Sequence, residues 1–218
     1  MQIQFTSYRK LMNLEKLQIA QQDFLRVYPQ GFQDEKMLEL SKKHRVDKMT
    51  DFVLDVFSRD QFNLPARILE NWAKTVSRSS MVSTFEKPKF KNMLNDLSAH
   101  EKELMVNGLY EQLHGDAQAG FNAQLDILKQ YKLAKWSLIS VVPAYFKPQE
   151  EVFIKPTTAK GVIKFFELPN LTYKATPSWE FYCEYRQQVL SMMNFVDKQL
   201  APNTPAFCGF LMMSLPGS

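Results

Sequence analysis

Two cysteines and seven glycines are all that 218 residues hold of either type, and each shortage excludes something. Cys183 and Cys208 lie on apolar segments with no partner at C-x-x-C distance. The expectation is two free thiols acting as small hydrophobes in a reducing compartment, not a disulfide or zinc framework. The scattered glycines spell neither G-x-x-x-x-G-K-[ST] nor G-x-G-x-x-G, so the backbone cradles that those motifs build for nucleotide phosphates are missing. No G-x-S-x-G elbow is present for a serine hydrolase. His44, His100 and His114 are spaced too widely for an H-x-x-x-H zinc pair. Neither a cofactor nor a metal is expected. No apolar run reaches the ~18 residues of a membrane span, and residues 1–16 lack the basic-then-apolar order of a signal peptide. A cytoplasmic protein without membrane contact is the expectation.

What remains is ample material for a core. Hydrophobic residues make up 45% of the chain and seventeen are phenylalanine, which argues against disorder. Lysine and arginine exceed aspartate and glutamate by 27 to 23, a net charge of +4. The isoelectric point of 8.9 falls just short of the ~9 common in dedicated nucleic-acid binders.

Apolar spacing predicts a mainly α, compact domain of seven to nine helices, with a minor strand pair near the C-terminus formed around Val152 and Phe210. The whole of 1–218 is expected to be one unit, with a sub-boundary at 77–91. A first helix carries Leu11, Leu14, Leu17 and Leu25 and stops at Pro29-Gln30-Gly31. A second runs over 34–42. Met49, Phe52, Val53, Val56 and Phe57 share one stripe of a third. Pro65 opens a fourth, ended by the polar, basic stretch 77–91. Ser98 and Glu101 have the spacing of a capping box, Gly115 that of a left-handed stop, and Asp116 starts the second arm of a helical hairpin. His114 falls in a last turn, where an imidazolium would favour the helix dipole.

Beyond Lys132 the punctuation changes. Residues 136–142 fit either a buried helix or a strand, and 151–155 a short strand. Thr157 or Thr158 is placed to cap a helix through Phe166, and Thr176-Pro177 to launch a longer one. The tail 207–215 is expected to be a strand or buried extended segment.

Two basic features stand out. Arg78, Lys87, Lys89 and Lys91 lie among Ser77, Ser79, Ser80, Ser83 and Thr84 with Glu86 as the sole acid, a composition suited to phosphate contacts. Lys155, Thr157, Thr158, Lys160 and Lys164 surround an expected helix start, where free amides and lysines would favour an anion. Trp136, Tyr145, Phe146 and Phe153 offer rings for stacking on a base, although aromatics in a chain this rich in phenylalanine are more often core. The residues 34–57 have the length of a helix-turn-helix, but Asp47, Asp51, Asp55 and Asp60 would repel phosphate. A metal-dependent nuclease would draw on Asp34-Glu35-Lys36 or on Glu150, Glu151 and Lys155, whose spacing departs from E-x-K.

Lys135-Trp136, Pro143, the run Val152-Phe153-Ile154-Lys155-Pro156-Thr157-Thr158, Trp179 with Tyr182, and Phe207 with Phe210 together resemble a set of bacterial proteins without an assigned role. The resemblance spans residues 121–218 and implies no catalytic residue, cofactor or substrate. The expected function is non-enzymatic: a basic surface for an acidic partner, nucleic acid or an acidic protein. A protein–protein adaptor or homo-oligomer is the first alternative and the nuclease the second.

Overall fold

A computed structural model describes residues 12–217, so Leu11 of the expected first helix lies outside the described residues. The protein is mainly helical. The described residues form α1 (Leu14–Val27), α2 (Glu35–His44), α3 (Val46–Val56), α4 (Pro65–Arg78), α5 (Glu86–Asp96) and α6 (Ala99–His114). They continue through α7 (Ala117–Gln130), α8 (Trp136–Phe146), α9 (Pro156–Phe165), α10 (Trp179–Met193) and α11 (Thr204–Met213). Short 3-10 helices at Gly31–Gln33, Arg59–Asn63 and Lys198–Leu200 fill three connections. No helix among the described residues is long and apolar enough to cross a membrane.

Eleven helices exceed the expected seven to nine because two occupy segments assigned another state. Helix α5 lies inside the stretch expected to be a loop. Pro88 is tolerated in its first turn, and Phe90, Met93, Leu94 and Leu97 are buried at helical spacing. Helix α11 replaces the expected terminal strand. Its start is set by Asn203, whose side chain accepts the Ala206 N–H (2.9 Å), followed by Pro205 in the first turn.

The strand pair is therefore absent among the described residues. Residues 151–155 belong to no helix or strand and make no ladder. Hydroxyls on helices take their backbone groups instead: Ile154 N–H donates to Ser140 Oγ (3.0 Å), and Thr204 Oγ1 donates to Glu151 O (2.5 Å). Helix α10 starts two residues after Pro177, capped by Ser178 and not Thr176. Neither Thr157 nor Thr158 caps α9, which opens on Pro156 with Lys155 at the N-cap position.

Helix α8 is the axis of the core. Ten of its eleven residues are buried, as expected of a helix apolar all round. It packs against α3, α4, α6, α7 and α11. Pro143 has no N–H, so the carbonyl of Ile139, four residues earlier, loses its intrahelical donor. Gln112 of α6 reaches that carbonyl with Nε2 (3.5 Å, a long bond). The Gln112 Oε1 in turn accepts from Gln124 of α7 (2.8 Å), whose amide also reaches the carbonyls of Gly108 and Gly120 (both 3.0 Å). Buried amides thus carry the polar load of the proline across two helices.

That network requires α6 and α7 to touch closely. A Cβ on Gly120 would sit 2.2 Å from the Gln112 nitrogen and 2.4 Å from the Gly108 oxygen. The capping box at Ser98 is present, with Ser98 Oγ accepting from Glu101 N–H (3.3 Å) and Glu101 Oε2 from Ser98 N–H (2.8 Å). Gly115 ends α6 with φ −132° and ψ −129°, not in the left-handed conformation expected. The Glu111 carboxylate occupies the space beside Gly115, and a side chain there would have to displace it.

Gly120→Ala is expected to destabilise the protein by about 3 kcal/mol in denaturant unfolding, because backbone must move. Gly209→Ala, where the nearest atom to an added Cβ is 3.9 Å away on Phe32, should instead stabilise by up to ~1 kcal/mol through helix propensity. Equal effects at the two sites would contradict the close packing described for α6 and α7.

Candidate functional site

The two basic features attach to the same helix. Glu86, first residue of α5, accepts a hydrogen bond from Ser137 Oγ of α8 (2.6 Å). Ile154, next to Lys155, donates to Ser140 Oγ, one turn further along. Trp136 Nε1–H donates to the Lys174 carbonyl (2.8 Å). Positions 136, 137 and 140 lie on one side of a helix by the i, i+3, i+4 rule. Three elements carrying lysines therefore dock on one face of the N-terminal half of α8.

Lys87 and Lys91 fall at i, i+4 on α5 and share a side, while Lys89 is round the opposite side. Lys87 is half-buried; Lys89 and Lys91 are exposed. They stand on a helix, not on the flexible loop expected for 77–91; only residues 79–85 connect α4 to α5. Thr157, Lys160 and Lys164 fall at i, i+3 and i+7 along α9, which also puts them on one side. The Lys160 ammonium sits over the Tyr173 ring (4.8 Å), and Tyr173 packs edge-on against Phe181, which lies against Trp136. Lys155 is exposed at the N-cap and Thr158 half-buried in the first turn. The amides of Thr157 and Thr158 have no intrahelical acceptor, as at any helix start. Among the described residues, none of Lys87, Lys89, Lys91, Lys155, Lys160 and Lys164 forms an ion pair.

Arg78 does not join them. Its guanidinium lies over Phe52 of α3 (5.5 Å). The adjacent Ser79 hydroxyl bonds Tyr145 Oη (3.1 Å) at the far end of α8. Eight residues separate Tyr145 from Ser137, ~12 Å of helix. The first basic feature is thus split, Arg78 at one end of α8 and the α5 lysines at the other. Lys135 and Lys174, both exposed beside Trp136, were not singled out by charge clustering; each is an isolated lysine in sequence and joins the others only through the fold. The proposed stacking aromatics are not available: Trp136, Tyr145 and Phe153 are buried in the core and Phe146 packs against His114.

The acidic candidates are used otherwise. Asp34 Oδ1 accepts from the Lys36 N–H (3.2 Å) at the start of α2. Glu151 is buried, with its carboxylate taking hydrogen bonds from Tyr182 Oη (2.6 Å) and from Arg186. That carboxylate and burial together push the Tyr182 phenol well above its ordinary range, burial being the larger cause. The Arg186 guanidinium also lies over the rings of Tyr182 (5.6 Å) and Trp179 (5.9 Å). Among the described residues no three His, Cys, Asp or Glu side chains are grouped to hold a metal.

A groove of about 480 Å³ follows the outer side of α10, lined by Glu150, Cys183, Arg186, Gln187, Leu190, Ser191 and Asn194. Sequence spacing alone did not mark it. Its thiol, Cys183, has its proton affinity raised by burial, the wrong direction for a nucleophile, and its arginine is already bound to Glu151. No paired nucleophile and base arises there. Cys208 is still more firmly protonated, pushed up to about 12 by burial. No protein-family model, no curated protein and no solved structure matches the chain, so the functional argument is carried by these residues.

His114 differs from its expected dipole role. Its Nε2 bonds the Phe57 carbonyl (2.8 Å), with its ring against Phe62, Tyr110 and Phe146. Burial lowers its pKa, opposed by the Phe57 bond and assisted by Arg59 and Lys147. The unfolded chain then takes up the proton at a higher pH than the folded one. Stability is full above the ordinary imidazole value, falls as pH drops through it, and levels off below the lowered folded value. His114→Gln should flatten the fall in melting temperature between pH 7.5 and about 5; parallel curves would exclude His114 as the source. Separately, Arg186→Met leaves the Glu151 carboxylate buried without its partner. Unfolding free energy should drop by about 3 kcal/mol, the low end for a broken buried pair because the guanidinium reaches solvent.

Proposed function

We propose that this protein is a non-enzymatic binder of polyanions, with nucleic acid the more specific ligand, and that it acts through one cationic face around the N-terminal half of α8. The observation that carries the reading is the docking of Glu86, Ile154 and the Lys174 carbonyl on adjacent positions of that helix. It draws Lys87, Lys91, Lys135, Lys155, Lys160 and Lys174 toward one neighbourhood without intervening ion pairs. The Thr157 and Thr158 amides at the start of α9 add partial positive charge there. The unit that acts is the whole chain as one helical domain. The buried residues form a single cluster, and Ser79, Val82 and Phe90 tie the 77–91 segment into it. Asp47, Asp51 and Asp55 are exposed on α3, and their charge would disfavour a polyanion there.

Binding of a labelled 15-nucleotide oligothymidylate, followed by anisotropy at several salt concentrations, tests the reading. Displacement of about five counterions should give a log–log slope near −3.5, and each of Lys87→Ala, Lys155→Ala and Lys160→Ala should reduce its magnitude by about 0.7. Arg78→Ala, at the far end of α8, should leave the slope unchanged. Absence of binding at low salt would remove the proposal, and a loss confined to Arg78→Ala would relocate it.

A further inference from the structure

We propose that Phe85 is a base-stacking residue, and that the polyanion is therefore a single-stranded nucleic acid. This rests on the cationic face proposed above and adds to it a ligand class and a residue. Phe85 is 80% exposed, and among the described residues it is the one exposed aromatic side chain. It stands at the very start of α5, with Lys89 one helical turn on, on its own side, and with Lys87 and Lys91 round the other side of the helix, so a strand that reaches both passes over the N-terminal end of α5. Ser83 and Thr84, also exposed, precede it.

Stability does not account for a phenylalanine here. The side chain buries almost nothing. It occupies the N-cap position of α5 and makes no capping hydrogen bond, where serine, threonine, aspartate or asparagine would contribute one. A residue that breaks two local rules with no return in packing marks a functional position. Nor is it carried on a loose loop. Val82 and Phe90 are buried on either side. The Ser83 carbonyl accepts from the Glu86 and Lys87 amides (3.0 and 3.3 Å), and the Ser83 hydroxyl accepts from the Phe85 amide (3.3 Å). The adjacent acid, Glu86, is turned inward onto Ser137. The ring is presented in an ordered turn, so little conformational freedom is lost when a ligand covers it.

The chemistry that matches a lone exposed ring flanked by lysines is an unpaired base between phosphates. Every base has a π-face, so stacking needs no sequence. A duplex keeps its bases stacked on one another, and a polyphosphate has no ring. Because Glu86 and Lys87 already donate to Ser83 and Pro88 has no N–H, the start of α5 offers few amides to an anion. The phosphates fall to the lysines.

The experiment compares oligothymidylate, an abasic oligonucleotide of the same length, the corresponding duplex, and phosphatidylserine vesicles, all with the full chain. The parent should prefer oligothymidylate to both the abasic strand and the duplex. Phe85→Ala should weaken oligothymidylate binding by about tenfold and leave abasic binding unchanged. Phe85→Trp should retain affinity and show quenched indole emission on binding. Phe85→Ser, which restores a capping side chain, should melt no lower than the parent, so a lost affinity is not a lost fold. If the parent binds both oligonucleotides and Phe85→Ala changes neither, or both equally, the stacking inference is overturned and the cationic face stands. If the parent binds neither, both fall. If it binds vesicles alone and Phe85→Ala abolishes that, the ring is a membrane anchor and the inference is overturned.

Discussion

A helix that is buried on every side and contains a proline must have its polar atoms answered from outside itself, and α8 is such a helix. Each answer comes from a different part of the chain. Gln112 of α6 meets the Ile139 carbonyl, the 79–85 connection meets Tyr145, α5 meets Ser137, the extended residues 151–155 meet Ser140, and the Lys174 carbonyl meets the Trp136 indole. Buried polar groups left unmet cost more than met ones gain. These bonds therefore fix where the surrounding elements sit as well as holding them there.

The proposed site follows from the same constraint. In the proposed face, the lysines are placed by their neighbours, since Glu86, Ile154 and the Lys174 carbonyl, and not the lysine side chains, are tied to α8. Among the described residues none of these lysines is paired with a carboxylate, so in the proposal their charge faces a ligand. Of the acids, Glu86 is bound to Ser137, Glu151 is committed to Arg186 and Tyr182, and Asp47, Asp51 and Asp55 are exposed on α3. Phe85 is exposed at the start of α5 while Glu86 beside it is bound to Ser137.

Local punctuation made much of the fold legible. Pro65, the Ser98–Glu101 box and Asp116 each mark a helix start that the structure contains, because capping chemistry is written within four residues. Failures came where two signals conflicted. Glu86 to Asp96 carried a helical apolar stripe at Phe90, Met93, Leu94 and Leu97, but serines and lysines around it drew attention to a loop. Residues 207–215 were apolar on all sides, which gives no period, and the cap that decides the matter, Asn203, lies outside the run. At 151–155 the extended conformation was legible but its partners were not, since serine and threonine hydroxyls from distant helices leave no trace of pairing in sequence. For the site, the charged clusters were visible and their division was not. Arg78 separated from Lys87 because the 79–85 connection runs the length of α8. Phe85 is not marked in sequence, because its exposure and its place at the N-cap of α5 exist only in the folded chain.

Lysine-reactivity footprinting, with and without oligothymidylate, tests the account most directly, since mass spectrometry reads each lysine separately. A single cationic face requires Lys87, Lys91, Lys135, Lys155, Lys160 and Lys174 to become protected together, at one ligand concentration, while Lys36 and Lys48 keep their reactivity. Protection of the α5 lysines without those of α9, or in two steps at separate concentrations, would contradict it.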